Sequence, residues 1–85
     1  MLASNKGKCS DVRLKEAIER VGTSASGIPT YTWHYIADRS PTRYFGAIAQ
    51  ELLAMGREDA VIQRADDGMF LVDYSVLDVP FHAVA

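Results

Sequence analysis

Two segments of the chain carry an apolar stripe of helical period, and three shorter runs favour strands. Residues 10–22 place Leu14, Ala17, Ile18 and Val21 at i, i+3, i+4 and i+7, with Arg13, Glu16, Glu19 and Arg20 on the wet side. Ser10 and Asp11 stand where an N-cap belongs and Gly22 where a C-cap glycine belongs, so the pattern predicts a first helix. Residues 44–56 predict a second, with Phe45, Ile48, Leu52 and Met55 on one face and a stop at Gly56.

Between these helices "TSASGIP" collects turn formers. Residues 30–36 then alternate, with Tyr31, Trp33 and Tyr35 on the face of a strand that reads as core. Residues 60–64 and 69–74 are short β-favouring runs. Asp66, Asp67 and Gly68 between them predict a hairpin with a type I′ turn and explain the acidic pair without a calcium loop. Pro80 keeps any last helix short and leaves 80–85 as a coil tail. The expected fold is α+β: a small single domain with two amphipathic helices, an aromatic-rich strand and a C-terminal β-hairpin. Residues 1–9, polar and without periodicity, read as a leader open to cleavage, and 10–79 as the domain.

Eighty-five residues bury only a thin core, so a partner or an oligomer matters to such a chain. The 48% hydrophobic and 24% charged fractions argue for a folded protein over a disordered one. Nine cations against eleven anions, with no basic block, exclude the electrostatic footprint of a nucleic-acid binder. No apolar run approaches the ~18 to 20 residues of a membrane span and no secretory h-region opens the chain, so the protein reads as soluble, with no membrane partner. Cys9 alone cannot close an internal disulfide, and no Cys/His cluster has ligand spacing, so neither a metal nor another cofactor is expected. A reducing compartment or a phage particle fits a lone thiol equally well.

Ser10 has two readings. As a helix cap it stabilises by about 1 kcal/mol. As a nucleophile it needs a base, and Lys15 qualifies if desolvation or the neighbouring Arg13 keeps it neutral. Five residues along one helix turn through about 500°, which leaves Ser10 and Lys15 roughly 140° apart. The pair therefore requires Ser10 to stand before the helix on a chain that bends back, or a Lys15 from another subunit. Cys9 with His34 or His82 is a thinner alternative. Gln50 and Glu51 read as solvated or capping residues.

Three segments occur in order: "SDVRLK" with Ser10, Asp11, Arg13, Leu14 and Lys15, "GAIAQE" with Gly46, Gln50 and Glu51, and "VDYSVL" with Asp73 and Tyr74. Together they resemble the intramolecular chaperone auto-processing domain at the C-terminal ends of phage tailspikes, endosialidases and other tail fibres, found also in the myelin regulatory factor. The resemblance implies a domain that helps a trimeric fibre assemble and then cuts itself off. A homotrimer or a fibre protein is the expected partner. It further implies that Ser10 attacks the peptide bond between Cys9 and Ser10, with Lys15 as general base. A nucleophile held beside its own scissile bond has a very large effective molarity, which suits such chemistry. For Gln50 and Glu51 the resemblance implies instead a tie to the first helix. Asp73 is expected to accept backbone donors and Tyr74 to fill the core. The alternative is an assembly module that keeps the fold without cutting.

Overall fold

Antiparallel strand pairing, with little helix, organises the chain in the computed structural model, which describes residues 7–84. Residues 1–6 of the expected leader and Ala85 of the tail lie outside the described residues. The strands are β1 (Lys8–Cys9), β2 (Lys15–Thr23), β3 (Pro29–Tyr35), β4 (Arg43–Gly46), β5 (Val61–Gln63), β6 (Phe70–Val72) and β7 (His82–Val84), with one helix, α1 (Ala49–Ala54). Two antiparallel sheets result, ordered β1-β6-β5 and β2-β3-β4-β7. Ile28, Ala47, Ala49, Leu52, Ala60, Val72, Tyr74 and Val79 form the buried core.

This is a mostly β fold, and it corrects the α+β expectation with its two amphipathic helices. Residues 10–22 hold a short 3-10 turn, Val12–Leu14, followed by β2. Ile18, Val21 and Thr23 are β-branched and suit a strand, and β3 offers them a pairing edge. Two register shifts, the first spanning Ala17 at φ 51°, break strict alternation, so the apolar spacing mimics a helix. The proposed apolar face is not core: Val21 is 52% exposed, whereas Lys15 is buried.

The second expected helix splits. Tyr44 and Phe45 enter β4, and the helix is confined to the six residues of α1. Gly56 follows it with φ 79°, as a glycine stop should. Strand β3 matches the alternating aromatic run, with Trp33 fully buried and Tyr31 and Tyr35 half-buried. The hairpin forms as β5 and β6, but its connection spans 64–69, longer than a two-residue type I′ turn. The short last helix is a 3-10 turn, Tyr74–Val76. The tail, expected as coil, supplies β7 and places Phe81 against Trp33, Tyr44 and Tyr74.

Candidate active site

The segment between Cys9 and Lys15 carries the chain from one sheet to the other: Cys9 ends β1, Lys15 begins β2, and the 3-10 turn lies between them. Ser10 and Asp11 are fully buried and Lys15 is 5% exposed. Asp11, not Ser10, caps the turn, its Oδ1 accepting from the Arg13 backbone N–H at 2.9 Å. Arg13 closes a fork on the same carboxylate, Nε to Oδ1 at 2.9 Å and Nη2 to Oδ2 at 2.7 Å. Phe70 N–H on β6 donates to Oδ2 at 3.0 Å. The Arg13 guanidinium holds the Asp11 carboxyl well below the usual carboxylate range, against the opposing effect of burial.

Backbone bonds fix Ser10 from two further sides. Its N–H donates to Phe70 O at 3.2 Å, and its carbonyl accepts from Ala49 N–H at 2.9 Å. Gln50 Oε1 accepts from Val12 N–H at 2.8 Å, so α1 is tied directly to the turn. Ser10 Oγ lies 3.0 Å from Tyr74 Oη, which also accepts from Ala47 N–H at 3.0 Å. Gly46 makes that position possible: a Cβ there would stand 2.4 Å from Tyr74 Oη and 2.9 Å from the Trp33 ring.

Lys15 reaches the peptide bond that precedes Ser10. Its Nζ donates to Cys9 O at 3.3 Å and sits 4.0 Å from the Trp33 ring centroid and 5.0 Å from that of Tyr35. Burial lowers its pKa from the ordinary 10.5 to about 7, against the pull of Cys9 and Asp11. Near neutral pH the amine is thus divided between its charged and neutral forms. Among the described residues Ser10 Oγ bonds Tyr74 and not Lys15.

The three sequence segments therefore converge on one place. Cys9, Ser10, Asp11, Arg13 and Lys15 meet Gly46, Gln50 and Tyr74 there. Leu14 is half-buried and its carbonyl accepts from Ile36 N–H. Glu51 lies one step away, accepting from Tyr31 Oη at 2.7 Å. Asp73 caps the turn that carries Tyr74, accepting from Ser75 N–H at 3.0 Å. Cys9 is not joined to either histidine: Arg64 Nη1 stands 3.7 Å from its Sγ, His34 bonds Glu16 and Ser40, and His82 stacks on Phe45. Among the described residues no three His, Cys, Asp or Glu side chains gather as metal ligands.

The 140° obstacle assumed a helix that does not exist. Ser10 stands before a turn on a chain that bends back, and Lys15 meets Cys9 O of the same chain. Tyr35, expected on the core face of its strand, is a further neighbour of this carbonyl. It pairs with Lys15 in the β2–β3 register, a relation visible only once residues 15–23 are read as a strand.

The chain matches the model of a protein family, the chaperone of endosialidase, over residues 10–62, and it belongs to that family. The matched stretch contains the first two segments, while Asp73 and Tyr74 lie beyond it. No curated protein and no solved structure matches the chain. Among the described residues no helix is long and apolar enough to cross a membrane.

Proposed function

We propose that this chain is an assembly chaperone domain of a trimeric phage or prophage tail fibre and that it cleaves its own backbone between Cys9 and Ser10. One observation carries the cleavage: a buried lysine with its pKa lowered to about 7 lies 3.3 Å from the carbonyl oxygen of the peptide bond preceding a buried serine. The neutral Lys15 amine takes the Ser10 Oγ proton as Oγ bonds to the Cys9 carbonyl carbon, and the carbonyl electron pair moves onto oxygen. As that pair returns, the C–N bond breaks and the Ser10 nitrogen takes the proton from Lys15. An ester between Cys9 and Ser10 Oγ remains. Water then hydrolyses it to a Cys9 carboxylate and a free Ser10 hydroxyl. An open cavity of about 620 Å³, lined by Cys9, Tyr35, Ile36 and Arg64 among others, lies on the Cys9 side of that bond and is the route proposed for the water.

Under this reading the leader ends at Cys9 and the retained domain starts at Ser10. Because Lys15 reaches Cys9 O within one chain, the reaction is intrachain and its rate does not depend on protein concentration. The assembly role rests on the family to which the chain belongs. Exposed Val21, Ile36 and Val84, with the outer strands β2 and β7, are surfaces through which copies of the chain pack.

The second reading is the same assembly domain without cleavage, favoured by Ser10 Oγ bonding Tyr74 in place of Lys15. Intact mass of the wild type beside Ser10→Ala and Lys15→Ala separates the two. Loss of the leader from the wild type alone supports cleavage, and three uncut chains support the non-cleaving module. A native mass of three chains tests the trimer.

A further inference from the structure

We propose that Tyr35 is a catalytic residue of the cleavage reaction, donating its phenolic proton in a hydrogen bond to the oxyanion that forms on Cys9 O. This inference rests on the cleavage reading above. Cys9 O accepts two side-chain donors, Tyr35 Oη at 2.5 Å and Lys15 Nζ at 3.3 Å. When Ser10 Oγ adds to the carbonyl carbon, the negative charge appears on this oxygen. Both donors already point at it, so little reorganisation accompanies the charge.

Three features fit Tyr35 to that task. Burial raises its phenol pKa, so the hydroxyl stays protonated and able to donate throughout the range in which Lys15 titrates. Its ring is held edge-on to Trp33 at 5.9 Å and against Tyr44 at 5.3 Å, which limits where the hydroxyl can go. Lys15 and Tyr35 are direct cross-strand partners, so one register positions both. Each has its own part. Lys15 accepts the serine proton and becomes an ammonium beside the oxyanion, whereas Tyr35 keeps its proton and only strengthens its hydrogen bond. Proton transfer and charge stabilisation are thus divided between two side chains.

The test is a time course of intact mass after cell-free synthesis of the full chain as wild type, Tyr35→Phe and Tyr44→Phe. Tyr35→Phe is expected to cleave about 100-fold more slowly, the usual effect of removing one oxyanion donor. Its pH–rate midpoint stays with Lys15, near the wild-type value. Tyr44→Phe, which alters the adjoining ring, cleaves at the wild-type rate. Wild-type cleavage with an equally fast Tyr35→Phe overturns the Tyr35 assignment and leaves the cleavage reading standing. An uncut wild type overturns both. Circular dichroism checks the fold. If Tyr35→Phe unfolds, 3-fluorotyrosine at position 35, which keeps the hydroxyl and makes it more acidic, decides: a changed rate supports the assignment and an unchanged one overturns it.

Discussion

Asp11 with Arg13, and Asp67 with Arg64, are the same pairing of carboxylate and guanidinium placed in two different settings. In the turn between β5 and β6, Asp67 is 41% exposed, and among the described residues its carboxylate accepts from near neighbours, Arg64 and the backbone N–H of Met69. At the crossover between sheets, Asp11 is fully buried and one of its donors, Phe70 N–H, is 59 residues away. A carboxylate whose donors are local decorates its own turn. One that accepts from a distant strand while buried holds separate parts of the chain in register, here the segment that presents Ser10. Chemistry alone does not separate these roles; burial and the sequence distance of the donors do.

The largest effect should follow Asp11→Ala. It leaves the Phe70 and Arg13 N–H groups without their acceptor, and a loss of about 3 kcal/mol is expected from urea unfolding. A loss as small as that at Asp67 would break the comparison.

The other buried charge of the crossover acts in the opposite sense. The Lys15 pKa is near 7 when folded and 10.5 ordinarily, so between those values the unfolded chain binds more protons. Stability from this group is therefore lowest below pH 7 and rises as pH increases to 10.5. Lys15→Met should raise the melting temperature at pH 6 and abolish that rise, whereas Arg64→Met should leave the slope in place.

Gly46→Ala tests the packing behind the crossover. Its methyl group displaces Tyr74 Oη from Ser10, and overpacking of this kind costs about 2 kcal/mol, read by the same urea titration. The smallest change belongs to Asp67→Ala, below about 0.5 kcal/mol, as expected for an exposed pair within one turn.

The constituents of the candidate site were legible in the sequence, but their arrangement was not. Ser10, Lys15, Gln50 and Tyr74 stood out by the order of their segments, and the aromatic alternation of β3 and the Asp-Gly pair of the hairpin gave those strands away. The helical reading of 10–22 failed because it put apolar residues inside. The crossover instead buries Ser10, Asp11 and Lys15 and leaves Val21 in solvent. Periodicity carries no record of polar burial such as that of Asp11 and Ser10, whose partners Phe70 and Tyr74 lie 59 and 64 residues away. The place of Tyr35 beside the Cys9 carbonyl was not legible for the same reason, since that contact follows from a β2–β3 register that a helix would not have. The tail was missed because Phe81 gains its place only from rings contributed by three other segments.

In the proposed reaction a buried, readily deprotonated Lys15 stands at the carbonyl of the bond that precedes Ser10. Intact mass of freshly synthesised wild-type chain, followed over time from pH 5 to 9, tests it most directly. One break is expected, between Cys9 and Ser10, at a rate that rises with pH and levels off above about 7 as Lys15 loses its proton. A chain that stays whole across the range, or cleavage at a rate that does not change through pH 7, would contradict it.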